Sequence, residues 1–311
     1  LAEPRTNEYA RADKAADWMV LAKLYLNAEV YTGTARYADC INYCNKILGA
    51  GYTLDPEWKN LFLADNNTSN EIIFPVAFDA IHTQTYGGMV YLIHAEIGGT
   101  MNAADFGVSS GGWAGLRTTK NLVDAFPDPS GTTDKRAMFY TDGQNLEIKI
   151  ILNNFPDGYA ITKYKNINQA GQAESDPTGQ FVNTDFPMFR LADVYLMYAE
   201  AVLRGGGGDE GTAVGYINQL RERAYGNTSG NIAQSDLTLD FILQERSREL
   251  YWEATRRTDL IRFGKFTSSS YLWPFKGGVL GGTGVADYRT IFPIPVSDIT
   301  VNPNLKQNPG Y

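Results

Sequence analysis

The sequence predicts a mostly α fold: helix pairs embracing a loop-rich insertion that contains short strands. Three observations predict it. Apolar residues recur at helical spacing in four stretches, 17–31, 35–48, 189–204 and 212–224. Between the two pairs, residues 70–185 lose that period and fill with glycine-rich loops. After residue 236 comes a helix dense in alternating charge, and then a tail in which four prolines forbid a long helix.

In the first pair, Trp18, Leu21, Ala22, Tyr25 and Leu26 form the apolar stripe of one helix. Gly33 ends it. Its partner presents Tyr37, Ile41, Cys44, Ile47 and Leu48, and stops at Gly49 and Gly51. In the second pair, Leu191, Val194, Tyr195, Tyr198, Ala199 and Val202 lie on one helix, and Val214, Ile217 and Leu220 on the next. Gly205 to Gly208 separate them. Each pair, 17–58 and 189–225, looks like a tetratricopeptide unit. Aligning Ala28-Glu29 with Ala199-Glu200 superposes the two first helices at an offset of 171 and sets Trp18 against Phe189. The rest of that repeat is weak, and the insertion is too long for a plain solenoid.

Within the insertion, residues 71–78 read as a strand and 118–126 as a short helix with a threonine cap. Further short strands are expected around 134–136 and 158–166. The loops Tyr86-Gly-Gly, Ile97-Gly-Gly and Ser109-Ser-Gly-Gly-Trp-Ala-Gly115 are irregular segments on a rigid scaffold, where binding function usually sits. A second irregular region spans 267–288.

Bulk properties narrow the function. The 311 residues are 43% hydrophobic and 20% charged, the values of a globular chain that can bury a sizeable core. A net charge of −8 and arginines set beside glutamates argue against a nucleic-acid partner. No stretch of eighteen apolar residues exists to span a membrane. Cys40 and Cys44 are the only cysteines, so no disulfide framework is expected, and core thiols are the plainer reading. No metal site or cofactor is expected; His82 and His94 are distant in sequence from the cysteines.

Catalytic motifs do not form. Asp79, Glu96, Asp105, Asp142 and Asp157 are candidate carboxylates for glycoside hydrolysis, but no spacing singles out a pair. His82 or His94 would formally serve a triad, yet no Gly-x-Ser-x-Gly elbow occurs. Gly205 to Gly208 follow a helix, the wrong context for phosphate. The charged run from Glu245 through Arg246, Arg248, Glu249, Glu253, Arg256, Arg257 and Asp259 to Arg262 reads either as paired catalytic carboxylates or as ion pairs tying the helix to the tail. The second is preferred, because a density of ion pairs alone is poor evidence of function.

The aromatic residues point elsewhere. They make up 13% of the chain, with 19 tyrosines. A flat indole or phenol suits the apolar C–H face of a sugar ring, and Asn or Arg suits its hydroxyls. Trp113 stands between Gly112 and Ala114 with little local bulk to bury it. Tyr86 precedes two glycines, and Asn102 and Arg117 lie close in sequence. These four are the candidate ligand-binding residues, although a lone tryptophan is more often core than ligand. Trp18, Trp58 and Trp252 are read as packing residues and Trp273 as a structural plug.

Two segments carry a family resemblance. One is Glu245-Arg-Ser-Arg-Glu-Leu-Tyr-Trp-Glu253 followed by Arg256-Arg-Thr-Asp-Leu-Ile-Arg-Phe-Gly264. The other is the ending, with Ile291-Phe-Pro-Ile-Pro295 and Asn302-Pro-Asn-Leu-Lys-Gln-Asn-Pro-Gly-Tyr311. Together, in this order, they resemble the C-terminal half of the SusD/RagB family of cell-surface glycan-binding lipoproteins. The resemblance runs from Trp18 to Tyr311 and implies a SusD-like fold. It implies non-catalytic capture of oligosaccharide or polysaccharide at the bacterial outer-membrane surface, for delivery to a TonB-dependent, SusC-like transporter. A glycan hydrolase or a tetratricopeptide-type protein- or peptide-binding scaffold are the alternatives. Family members begin with a lipoprotein signal, its cysteine and a large helical part. Leu1-Ala-Glu-Pro matches none of these, so residues 1–311 are expected to be the C-terminal portion of a single SusD-like domain. In that reading, 236–311 holds the charged helix and a strap pinned to the core by Ile291, Phe292, Ile294, Ile299, Val301, Leu305 and Tyr311.

Overall fold

The computed structural model describes residues 1–150, 154–174 and 176–311; parts of the expected 70–185 insertion therefore lie outside the described residues. The chain divides into two compact units, Leu1–Ala254 and Thr255–Tyr311.

The first unit opens with α1 (Lys14–Leu26), which starts three residues before the apolar stripe suggested. Asp13 explains the difference. Its carboxylate accepts from the free amides of Ala15 (2.8 Å) and Ala16 (3.1 Å) and caps the helix. The expected single helix breaks at Asn27, and α2 (Ala28–Thr32) ends at Gly33, whose left-handed φ of 72° suits glycine. The buried face of α1 is Ala15, Ala16, Met19, Ala22 and Leu26. Trp18 and Tyr25 flank it, packed on the same core. The small residues let α3 (Tyr37–Leu48) approach closely with Cys40 and Cys44, both free thiols and buried.

Next come β1 (Ile72–Val76) and α4 (Gly88–Ala95). The expected helix at 118–126 is only one turn, α5 (Lys120–Val123); Thr119 precedes it without a side-chain cap bond. Strands β2 (Phe139–Tyr140) and β3 (Ala160–Ile161) pair antiparallel. β4 (Phe186–Arg190) pairs antiparallel with β1, Ile72 opposite Arg190 and Val76 opposite Phe186. This ladder closes the base of the insertion. It also corrects the repeat alignment: Phe189 is a strand residue, so it cannot match Trp18 on a helix. α6 (Leu191–Leu203) begins only afterwards.

α7 (Glu210–Tyr225) is capped by Asp209 and ended by Gly226. α8 (Leu239–Leu250) is capped by Thr238 and stops inside the charged run. Trp252 and Ala254 adopt left-handed φ of 59° and 58°, which helix geometry does not admit. α1 packs on α3, α3 on α6, and α6 on both α7 and α8. The two helix pairs thus share one core. A second core lies under the insertion, built on Trp58, Phe62, Met89, Ile93, Phe106, Tyr164 and Tyr251.

The charged helix is buried, and its ion pairs go elsewhere than expected. Glu245, Glu249 and Glu253 meet Arg136 and Lys163 of the insertion, Arg190 of β4, and Arg221 and Arg223 of α7. Arg190 alone donates to Glu71 (3.0 Å), Glu249 (2.7 Å) and both oxygens of Glu253 (2.7 and 2.8 Å). An amphipathic helix places such groups on a core face only when each finds a partner.

In the second unit, α9 (Arg256–Arg262) precedes the irregular region and α10 (Val296–Val301) sits in the tail. Trp273 is half-buried between Phe266 and Tyr271, with the Lys276 ammonium 4.5 Å from its ring. Within this unit, Ile291, Phe292, Val301 and Tyr311 of the tail are exposed. It is held by polar bonds of its own. The Gln307 amide bonds both the N–H and the carbonyl of Ile294, and Asn308 donates to the Phe292 carbonyl. Arg257 donates to the Arg289 and Thr290 carbonyls and covers the Phe292 ring at 4.1 Å. Among the described residues, no helix is long and apolar enough to cross a membrane.

Candidate functional site

The site is built on α4 and two loops. Residues 113–116 bond back to carbonyls at the C-terminal end of α4 and just beyond it. Trp113 N–H donates to the His94 carbonyl (2.8 Å), Ala114 to Ile97 (2.9 Å), and Gly115 and Leu116 to Ala95 (2.9 and 2.7 Å). Gly112 is obligatory there: a Cβ would lie 2.3 Å from the Ile97 carbonyl oxygen. Gly111, with φ of 106°, makes the turn. This close approach lays the indole over α4.

The Trp113 ring stacks on the imidazole of His94, centroids 4.7 Å apart and planes 14° from parallel. His94 is fully buried. The covered side of the indole faces the histidine, and Trp113 as a residue is still 42% exposed, so its other face is the open one. Two tyrosines tilt around it: Tyr86 at 6.3 Å and 52°, Tyr91 at 6.2 Å and 51°. Both are exposed. Tyr86 rests on Phe181 (5.3 Å), and its hydroxyl donates to Gln180 (3.1 Å). The loop bearing Gln180 is held by Asp176, which accepts from the amides of Thr178, Gln180 and Phe181. Burial would raise the Asp176 carboxyl, but these bonds outweigh it and hold it at about 2.

Of the four residues singled out by sequence, Trp113 and Tyr86 come together. Asn102 and Arg117 make other contacts. Asn102 is exposed and caps the turn at Ala103–Phe106, accepting from Ala104 and donating to Asp105. Arg117 donates to the Asp157 carbonyl (2.9 Å) and lies over the Phe155 ring; burial lowers its proton affinity. Sequence reasoning missed Tyr91, Phe181 and Gln180, and it considered His94 only for metal or triad roles. Tyr91 and His94 are three apart on one short helix, which was the available signal.

The candidate carboxylates stand apart in character. Asp79 bonds His82 (2.9 Å) and is lowered to about 2, the His82 bond being the main cause. Asp157 accepts from Lys149 and Ile150, and those backbone bonds lower it. Glu96 is fully buried with no hydrogen-bond partner on either oxygen. Burial raises it well above the ordinary carboxylate range, against the pull of Lys165 and Lys163. Asp142 is exposed beside the Tyr140 hydroxyl. His94 spends both ring nitrogens on carbonyls, Gly111 at 2.6 Å and Gln180 at 2.8 Å. Among the described residues, no cluster of three or more His, Cys, Asp or Glu gathers to hold a metal.

Two hollows lie elsewhere. One of ≈ 850 Å³ opens within the second unit, lined by Arg257, Phe266, Trp273, Tyr288, Phe292 and Tyr311 among others. Another of ≈ 230 Å³ lies beside the N-terminal segment, at Arg5, Tyr9 and Tyr52. Neither of these two is lined by Trp113, Tyr86 or Tyr91. Flat stacking needs an exposed ring, not an enclosing cavity, so the platform remains the candidate.

Comparison with known proteins follows this geometry. The SusD family model matches residues 139–311. The starch-binding protein SusD of Bacteroides thetaiotaomicron is 37% identical over 99% of this chain and 62% of its own length. Among solved structures, surface glycan-binding protein A from Bacteroides thetaiotaomicron in complex with laminarihexaose superposes with a TM-score of 0.75 at 23% identity, covering 99% of this chain and 66% of that one. A SusD superfamily protein from Parabacteroides distasonis gives 0.74 at 23% identity, over 100% and 65%. The chain thus spans a little under two thirds of the length of these relatives.

Proposed function

The chain belongs to the SusD family, and from that premise we propose that it binds a glucan, without cleaving it, on an aromatic platform centred on Trp113. One observation carries the reading. Three exposed rings, Tyr86, Tyr91 and Trp113, gather on one face, and the indole is backed by a buried ring that leaves a single open side. A pyranose lays its C–H face on such an indole, while the tilted phenols meet its edge and offer hydroxyls. Asn102 and Arg117 remain the polar residues proposed for the sugar hydroxyls, although neither contacts the three rings. The relative at 37% identity is named for starch binding, and a solved neighbour holds laminarihexaose; both are glucan ligands.

Stacking on exposed rings gives modest affinity per sugar, which suits a surface that captures a long polymer at several points and releases it. The cellular setting proposed is the outer-membrane surface, as a lipoprotein, with the glycan passed to a TonB-dependent, SusC-like transporter. The test is affinity electrophoresis in gels containing soluble starch or laminarin, with reducing ends assayed in parallel. Retardation without release of reducing sugar is expected. Release of reducing sugar would replace binding by hydrolysis, and unaltered mobility in both gels would remove the glucan reading.

A further inference from the structure

The Tyr86 hydroxyl is the outer end of a line of side-chain hydrogen bonds that starts at a buried carboxylate. Asp176 is buried, and the Thr178 hydroxyl donates to its Oδ2 at 2.5 Å. A carboxylate only accepts, so the Thr178 hydroxyl has spent its one proton and turns lone pairs outward. The Gln180 side-chain nitrogen lies 3.1 Å from that oxygen. Lone pairs attract an N–H, so the amide sets Nε2 toward Thr178 and Oε1 away from it. Oε1 then accepts the Tyr86 hydroxyl proton at 3.1 Å. The carboxylate at the start therefore sets the direction of every bond after it. The backbone beneath does not depend on this line. Asp176 accepts from the amides of Thr178, Gln180 and Phe181 at 3.0, 2.9 and 2.8 Å. The Gly179 carbonyl accepts from both the amide and the hydroxyl of Ser110, at 3.3 and 3.0 Å. Gly179 has φ of 70°, and a Cβ there would meet Ser109 Oγ at 1.9 Å. The 176–181 loop is thus fixed against the loop that carries Trp113 by its main chain, and the exposed Thr178 hydroxyl is surplus to that packing.

From this ordering we infer that Asp176, Thr178 and Gln180 are positioning residues that make Tyr86 a hydrogen-bond acceptor toward its ligand. The inference rests on the glucan-platform reading above. The phenol has one proton, and it is committed to Gln180. On the face it shares with Trp113, the exposed ring therefore offers oxygen lone pairs. A sugar hydroxyl bonds there by donating. An ether oxygen or a carboxylate at the same place only accepts, and finds no proton to accept. The relay thus selects a glycan with a free hydroxyl at this position over one that is O-substituted or carries a uronic acid there. Without Thr178 to hold Nε2, the Gln180 amide is free to turn, and the phenol loses its fixed role.

Nuclear Overhauser contacts read the amide directly. In the wild type the Gln180 Nε2 protons, assigned by their loss in Gln180→Glu, are expected to contact the Thr178 side chain and not the edge of the Tyr86 ring. Binding reads the consequence, with laminarihexaose and maltohexaose as probes. Tyr86→Phe and Thr178→Val should each bind about fivefold more weakly, the worth of one neutral hydrogen bond. Thr178→Val should melt as the wild type does. Added to Tyr86→Phe, Thr178→Val should cost nothing more, because Thr178 acts only through the phenol. Thr178→Ser keeps the hydroxyl and should restore wild-type affinity. Amide protons against the Tyr86 ring, additive losses in the double variant, or wild-type affinity in Thr178→Val overturns the relay. If neither glucan binds the wild type, the functional reading fails, while the orientation of the Gln180 amide is still decided by its own contacts.

Discussion

The buried charges beneath α8 and the exposed rings over α4 make an instructive pair. Both concentrate chemically active side chains, and only one of them faces solvent. Glu249 accepts from Arg136 (2.9 Å), Arg190 (2.7 Å), Arg223 (2.6 Å) and the Trp58 indole N–H (3.1 Å), and none of it reaches solvent. Every oxygen there is occupied, so nothing remains to meet a ligand. At Trp113 the polar groups are also satisfied, but on the underside, and the free surface is apolar and open. A buried ionic lattice whose carboxylates are all paired serves as scaffolding; an exposed ring on a satisfied support is free to meet a ligand. The lattice ties β1, β4, α7, α8 and the insertion together, and so holds the loops that carry the rings.

The sharpest way to break this contrast is Glu249→Ala. Three guanidinium groups would lose a shared partner in a dry site, and stability should drop by ~3–5 kcal/mol, read by chemical denaturation. The molecules that still fold should bind glucan as the wild type does. Acid should act in the same direction. Burial would raise Glu249, but Arg223, Arg190 and Arg136 hold it at about 2 against an ordinary 4.5. Its contribution is therefore present above pH 4.5 and is lost as pH falls toward 2. Selective loss of binding with an unchanged melt would move α8 into the site.

Gly112→Ala tests the platform's backbone. The new Cβ would meet the Ile97 carbonyl at 2.3 Å, and relieving that contact should cost ~1–3 kcal/mol. Because the strain falls beside Trp113, affinity should fall too, unlike in Glu249→Ala. Equal affinity in a destabilised variant would uncouple this loop from the ligand.

Glu96→Gln probes a buried carboxyl of opposite sign. Glu96 has no partner on either oxygen, and burial raises its carboxyl above the ordinary 4.5. The unfolded chain releases that proton more readily than the folded one. Wild-type stability should therefore fall relative to the glutamine variant as pH rises above 4.5, by an amount of the order of 1–3 kcal/mol for a buried unsatisfied group. Parallel stability curves for the two proteins between pH 4 and 8 would show that the carboxyl is solvated after all.

The smallest effect belongs to the ring itself. Trp113→Ala should leave the fold intact and cost ~0.5–1.5 kcal/mol of binding beyond the lost contact area, hence a several-fold or larger loss of affinity by calorimetry. Undiminished affinity, with circular dichroism unchanged, would shift the site away from Trp113.

Much of this was legible in the residues. Helical period alone located α1, α3, α6 and α7, because amphipathic spacing is a local property. The ends were less legible: Asp13 capped its helix earlier than the apolar stripe suggested, and Phe189 continued a strand into what reads as helix. Glycine spacing singled out Trp113 and Tyr86, since sharp turns and close backbone approach leave a mark in the residue types themselves. The tail was less legible, because apolar residues in an irregular segment do not say what covers them. Its order comes from Gln307, Asn308 and Arg257 bonding to nearby carbonyls.

By itself, then, the sequence determined the helix pairs, the irregular insertion and the two aromatic residues on its glycine turns, all set by neighbours a few positions apart. Tertiary structure alone decided the partners. It brought Arg136 to Glu245 across 109 residues, Arg190 to Glu71 across 119, and the Gln180 carbonyl to His94 across 86. Charge and ring chemistry act through space over a few ångströms. A residue pattern states that a glutamate needs a cation or that an indole needs a support; only the folded backbone states which one it meets.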